Sequence, residues 1–261
     1  MTGSQHAISL SPETFHIIVT GWIILGLILI PIQLSQTAPF GRHFSTKWGP
    51  AMDNRTGWVI MEIVSPIALC GSFLVSGAAW SSPVVVLMGV WTAHYINRSV
   101  VYPLRMRTQG KQIPIVIVAS AITFNCFNGW SNGTYFGADW GGYSSTWLAD
   151  PRFIVGLLIM GCGAVINLRA DNTLLRLRSN TDKGYAIPRG GLFEKVSCPN
   201  FFGEIVEWTG FAIACWNLPA LGFAIWTSAN LIPRAISHHR FYQCTFEDYP
   251  KKRRALIPGA L

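Results

Sequence analysis

Thr14–Gly41, TFHIIVTGWIILGLILIPIQLSQTAPFG, contains no Asp, Glu, Lys or Arg. Uncharged apolar runs of about 17–25 residues are long enough to cross a bilayer as helices. The same absence recurs at 63–97, 112–138, 153–168 and 208–233. The run 63–97 is too long for one span and is broken by Ser81, Ser82 and Pro83. The last run, taken back to Asn200, turns at Asn217-Leu218-Pro219. Seven helices follow, near 15–35, 57–79, 83–102, 113–129, 152–175, 200–217 and 219–236.

The basic residues test that count. Seven spans put the termini on opposite sides. With the N-terminus outside and the C-terminus cytosolic, the inner segments 42–55, 98–111, 169–199 and 234–261 hold 3, 4, 6 and 6 Lys/Arg. That is 19 of the chain's 20, leaving Arg152 outside, as expected if cytoplasmic loops collect positive charge. Six spans would break the sorting at the C-terminus. The composition agrees: of 261 residues half are hydrophobic and 12% charged, against roughly 25% in soluble domains. A disordered chain is excluded and an ordinary soluble globule disfavoured, and the net charge of +8 orients the protein instead of marking a nucleic-acid binder.

The first segment lacks both a basic beginning and a small-residue cleavage site, which argues for a retained span over a signal peptide. No repeat or linker divides the chain, so residues 1–261 read as a single membrane domain. Its substrate side falls mainly in 15–129 and its cofactor side mainly in 152–258. The six cysteines have no metal-type spacing, no HExxH occurs, and disulfides are disfavoured on a reducing cytosolic face, so no metal is expected. Gly161-Cys-Gly163 lies inside a span, where its glycines permit close helix packing.

Certain polar residues sit where a bilayer should not tolerate them. Glu62 lies about a turn and a half into the second span, at a cost of about 2–3 kcal/mol for a charged form, so it should face a cavity or a partner. Tyr95, late in the third span, enters from the same side and can meet it. The alternative for each is an interfacial side chain that reaches the headgroup region. Three inner helix ends carry polar stripes at helical spacing: Asn167, Asp171 and Arg178; Asn200, Glu204 and Glu207; Arg234, His238 and Tyr242. Solvated helix ends could explain any one stripe. Three together suit a polar pocket open to the cytosol, in which Arg178 and Arg234 could pair the phosphates of a cofactor.

The motifs carrying these residues resemble those of the steroid 5α-reductase family. Asn200–Trp208, NFFGEIVEW, is similar to its NFxGEIxEW signature, and His238–Pro258, HHRFYQCTFEDYPKKRRALIP, to its C-terminal run. Tyr185–Phe193, YAIPRGGLF, resembles its YxIPxGGLF loop, and His94-Tyr95 with Arg98 its HYxxR segment. The resemblance implies a seven-helix membrane enzyme that uses NADPH to reduce the carbon 4–5 double bond of 3-oxo-Δ4 steroids. It implies hydride delivery to carbon 5, with Glu62 and Tyr95 hydrogen-bonding the 3-keto oxygen in the manner of an oxyanion hole. It places the dinucleotide on Asn167, Asp171, Arg178, Tyr185, Asn200, Glu204, Arg234, His238 and Tyr242. Trp58 and Met61 would line the substrate pocket, where Met61 stands in place of the Gln of mammalian members; Asn230 replaces an aromatic in the last span.

Partners implied are a steroid and membrane lipids, with no nucleic acid and no obligatory protein. The membrane would be cytoplasmic in a bacterium and endoplasmic reticular in a eukaryote. Three rivals remain. An isoprenylcysteine-type methyltransferase would carry RHPxYxG, where this chain has Cys198-Pro-Asn-Phe-Phe-Gly203. A related enoyl thioester reductase faces the same electronic problem. From a different class, the chain could be a non-catalytic sterol binder or a transporter, and a transporter would more often show discontinuous helices or repeated halves.

Overall fold

The computed structural model describes residues 10–106, 110–179 and 185–261, and is mostly helical. Helix α1 spans Pro12–Ser35, α2 Asn54–Val75 and α3 Ser82–Ile96. A π-helical stretch, Asn97–Val101, joins α3 to the short α4, Tyr102–Arg105. Then follow α5 (Ile115–Gly137), α6 (Pro151–Ser179), α7 (Pro199–Cys215) and α8 (Leu218–Thr245). Strands β1 (Ala51–Asp53) and β2 (Gln112–Pro114) pair antiparallel, Met52 opposite Ile113. By length and composition α1, α2, the 82–105 segment and α6 could each cross a membrane.

Each expected span has a helix, with three differences. The second helix ends at Val75, where Gly77 and Ala78 take left-handed backbone, instead of near 79. Helix α5 runs on to Gly137, although Asn125, Asn128, Ser131 and Asn132 look unsuited to a span; they are buried among neighbouring helices instead of facing lipid. Helix α8 passes 236 and ends at Thr245, because its polar last turns pack on other parts of the chain.

Two helix pairs are in intimate contact through glycine. In α5, Gly129 lies so close to α2 that a Cβ would stand 2.7 Å from the Ser65 carbonyl oxygen, and Gly133 and Gly137 meet the Leu69 and Phe73 carbonyls in the same way. Between α6 and α7, Gly156 and Gly163 face Gly210 and Gly203 in reciprocal contact. Small residues that let backbones approach are the usual means of helix association where no hydrophobic force acts between helices. Of the pair singled out in sequence, Gly163 does this; Gly161 meets nothing within 4 Å.

The central core is aromatic. Trp91 packs against Tyr95, Trp208, Phe211 and Phe223 at centroid separations of 4.7–5.6 Å, joining α3 to α7 and α8. At the other end the C-terminal segment is latched by Arg254, which bridges Val196 in parallel, and by buried Arg253, which donates to the Pro188 carbonyl at 2.9 Å.

Candidate active site

Helix α2 presents Glu62, α3 presents Tyr95, and Asn125 of α5 stands between them. The Tyr95 hydroxyl donates to Asn125 Oδ1 at 3.1 Å, and Asn125 Nδ2 donates to the Met61 carbonyl at 2.6 Å. Asn125 also reaches the Glu62 carboxyl. Tyr95 is 3% exposed, with Trp91 stacked on its ring at 5.6 Å; Trp91 is itself pinned by its indole N–H to Ser65 Oγ at 3.2 Å. Glu62 is half-buried among these helices. The phenol and the carboxyl thus share one amide, on three different helices.

Arg98 links this pair to the polar stripes. It projects from the π-helical stretch, a kind of local irregularity often found at functional sites. Its guanidinium lies 3.5 Å from Asp171 and 3.9 Å from Glu204, and over the rings of Trp58 (4.9 Å) and Tyr102 (5.4 Å). Arg98, Glu204 and His94 all lie close enough to act electrostatically on Glu62. Asn167 donates to the Asn200 carbonyl at 3.0 Å and to Glu204 at 3.4 Å, while Asn200 donates to Asp171 at 3.3 Å. The first two stripes therefore meet face to face across α6 and α7. Glu207 leaves the set: its Oε1 lies 2.7 Å from His94 Nδ1, both side chains buried. Beside them a cleft of about 340 Å³ is lined by His94, Asn97, Asn167 and Glu207 among apolar residues.

The third stripe forms a second cluster with the loop between α1 and α2. Arg42 donates to the Tyr242 hydroxyl at 3.2 Å and lies over the rings of Tyr242 (4.5 Å), Tyr185 (5.2 Å) and Phe241 (5.2 Å). His43 faces His238 at 5.3 Å. Arg234 lies over Phe40 at 3.4 Å and donates to the carbonyls of Phe40 (3.2 Å) and Ala38 (3.4 Å). Burial, with Arg234 and Arg42 nearby, lowers the His43 pKa from 6.5 to about 4, so the ring is neutral at pH 7. Phe201, next to Asn200, packs on His238 at 5.3 Å, so the two clusters adjoin.

Eleven of the residues expected from sequence therefore gather at or around these clusters: Trp58, Glu62, Tyr95, Asn167, Asp171, Tyr185, Asn200, Glu204, Arg234, His238 and Tyr242. Arg178 falls near the end of α6, and its side chain lies outside the described residues. The Met61 side chain, 4% exposed, packs with Ile113 and Val118 on the β2–α5 side, and contributes its carbonyl to Asn125. Sequence reasoning did not single out Asn125, Arg42 or His43, which the structure brings into these clusters. Asn125 sits two helical turns before Asn132, in a polar stripe that could have been noticed, whereas a loop offers no periodicity to flag Arg42 and His43.

A helical protein with membrane-type helices, an internal carboxyl–phenol–amide group and an adjoining polar, cation-bearing end has the parts of a membrane oxidoreductase. Comparison with known proteins makes the class specific. Residues 111–261 match the family model described as 3-oxo-5-alpha-steroid 4-dehydrogenase. The chain is 39% identical over 236 residues to 3-oxo-5-alpha-steroid 4-dehydrogenase 1 of Macaca fascicularis, covering 90% of this chain and 89% of that one. It is 40% identical over 243 residues to steroid 5-alpha-reductase DET2 of Gossypium hirsutum, covering 90% and 93%. To 3-oxo-5-alpha-steroid 4-dehydrogenase 2 of Sus scrofa it is 41% identical over 236 residues, covering 88% and 90%. The chain belongs to the 3-oxo-5-alpha-steroid 4-dehydrogenase family, and is an oxidoreductase of steroid metabolism.

Proposed function

We propose that this chain is a seven-span membrane enzyme, N-terminus outside and C-terminus cytosolic, that uses NADPH to reduce the carbon 4–5 double bond of 3-oxo-Δ4 steroids. Family membership supports the reaction and a nicotinamide cofactor. The one-sided distribution of Lys and Arg supports the orientation. The meeting of Tyr95, Glu62 and Asn125 from three different helices carries the catalytic assignment.

When bound, the nicotinamide supplies a hydride for carbon 5. The chain's task is to hold the 3-keto oxygen and stabilise the negative charge that grows on it. Two groups suit that task. The Tyr95 phenol donates from a site already fixed by Trp91 and Asn125, and Glu62, protonated, donates from the neighbouring helix. Donors held in place inside a water-poor site need no reorganisation as charge develops. Asn125 accepts from Tyr95 in the absence of substrate, so it keeps the hydroxyl aimed until the keto oxygen takes over as acceptor. The enolate is then protonated at carbon 4.

The chain's residues fit a phosphate-bearing cofactor. Arg42 Nη1 and His43 Nε2 are buried and find no protein partner, which an anion there would supply. Asn167, Asp171, Asn200 and Glu204 offer an amide- and carboxylate-rich wall for ribose hydroxyls and an amide, and Tyr185, His238 and Tyr242 an aromatic one. Of the arginines expected from the resemblance, Arg234 already donates to the Ala38 and Phe40 carbonyls and borders this space through the loop, and the Arg178 side chain lies outside the described residues. Trp58, under Arg98 and beside Tyr102, would border the steroid.

Purified protein in nanodiscs, given NADPH and a 3-oxo-Δ4 steroid, should lose the enone absorbance with matching oxidation of NADPH. Turnover of long-chain enoyl thioesters without turnover of any such steroid would overturn this reading.

A further inference from the structure

We propose that Arg42 and His43, carried by the loop between α1 and α2, clamp a phosphate group of the dinucleotide. The proposal rests on the cofactor reading above and goes beyond the phosphate ligands expected from sequence, which lay on α6 and α8.

Four observations carry it. First, Arg42 Nη1 and His43 Nε2 are both buried without a hydrogen-bond partner. A buried donor left unmade is costly, and such groups are usually matched by a ligand or water. Second, the two lie beside Arg234, and among the described residues no carboxylate pairs with Arg42 or Arg234. Two half-buried guanidiniums side by side without a counter-charge favour an anion. Third, Arg42 is held by aromatic faces. Tyr185, Phe241 and Tyr242 surround its guanidinium, and the Tyr242 hydroxyl takes Nη2, which leaves Nη1 as the donor on offer. A guanidinium fixed this way is suited to phosphate.

Fourth, Arg234 is already engaged. Both its terminal nitrogens donate to loop carbonyls, at Ala38 and Phe40, and its plane covers the Phe40 ring. Gly41 between Phe40 and Arg42 has φ +64, a left-handed turn that glycine adopts without strain, and a Cβ there would stand 3.6 Å from Arg234 Nη2. Arg234 is therefore a positioning residue: it tethers the loop and the loop presents Arg42 and His43. The anion recognised is a phosphate, from either the pyrophosphate or the ribose 2′-phosphate.

The test is equilibrium binding. Wild type, Arg42→Gln, His43→Gln and Arg42→Lys, full length in neutral-lipid nanodiscs, are titrated with NADPH and NADH, following nicotinamide fluorescence. Arg42→Gln should weaken NADPH by about tenfold or more, the range for losing a charged hydrogen bond, and Arg42→Lys should recover part of it. A loss confined to NADPH assigns the clamp to the 2′-phosphate; an equal loss for both assigns it to the pyrophosphate; either supports the proposal. Unchanged binding of both cofactors by Arg42→Gln and His43→Gln overturns the clamp while leaving the cofactor reading intact. A wild type that binds neither overturns both. Melting without cofactor separates a structural role: at least one Gln variant should stay folded with its cofactor affinity reduced, and loss of the folded state in both refutes the proposal. Acidic lipid should leave wild-type affinity unchanged; Arg42-dependent competition by acidic lipid would reassign the site to headgroups and overturn it.

Discussion

Replacing Tyr95 by Phe removes one oxygen from the centre of the site and leaves the ring. Trp91, Trp208 and His94 still pack on that ring, so the helices should stay in place. Two costs can be separated. In the free protein Asn125 Oδ1 loses its donor at 3.1 Å in a fully enclosed position, which should lower stability by about 1–3 kcal/mol. In the reaction the enolate oxygen loses one fixed donor. Removing a single donor of this kind costs about 2.7–4 kcal/mol of transition-state stabilisation, or roughly 10²–10³ in kcat. NADPH affinity should be unchanged, because none of the clusters assigned to the cofactor contains Tyr95. The assay is single-turnover reduction of a 3-oxo-Δ4 steroid at saturating NADPH, with cofactor binding measured on the same preparation. A Tyr95→Phe enzyme with kcat within a few-fold of wild type would refute the role given to the phenol.

Other consequences can be checked independently. Gly163→Ala should destabilise the protein by about 1–3 kcal/mol, because its Cβ meets the α7 backbone at Gly203 and Glu207, whereas Gly161→Ala, two residues away and facing open space, should not; thermal melts in detergent compare the two. Glu207→Ala strands buried His94 and should cost about 3–5 kcal/mol, while Glu207→Gln, which keeps a hydrogen bond, should cost less in the same melts. The neutral His43 ring contributes stability that is fully present above its ordinary pKa of 6.5 and lost as pH falls toward about 4, where it charges beside Arg234 and Arg42. The difference in melting temperature between cofactor-free wild type and His43→Gln should therefore move against the wild type across that window, and a pH-independent difference would exclude the assignment. Asn125→Ala should lower kcat more than it raises the KM for steroid, since it aims Tyr95 without being the group that stabilises charge.

Much of this architecture is legible from where charge is missing. Helices need charge-free runs to cross lipid, so seven helices stand out from the amino-acid pattern alone. How the helices end is not legible in that way. Arg234, His238 and Tyr242 look like residues beyond a membrane, yet α8 continues through them because Arg42, His43 and Phe40 of a distant loop cover that face. Asn128 and Asn132 look like the end of α5, yet tertiary packing buries both. Helical spacing finds Asn167 with Asp171 and Asn200 with Glu204, because partners on one face share a period. It cannot reveal that Glu207 turns to His94, or that Arg98 ties both stripes to Glu62, since those contacts depend on how separate helices are rotated.

The most direct test of the central claim follows the atoms. NADPH carrying deuterium at the transferable position of its nicotinamide is incubated with wild-type protein and a 3-oxo-Δ4 steroid in ordinary water, and the product is examined by NMR and mass spectrometry. The account predicts one deuterium at carbon 5 and none at carbon 4, and the mirror result, deuterium at carbon 4 alone, when unlabelled NADPH is used in heavy water. Deuterium from the cofactor at carbon 4, or a product without cofactor-derived deuterium, would contradict it.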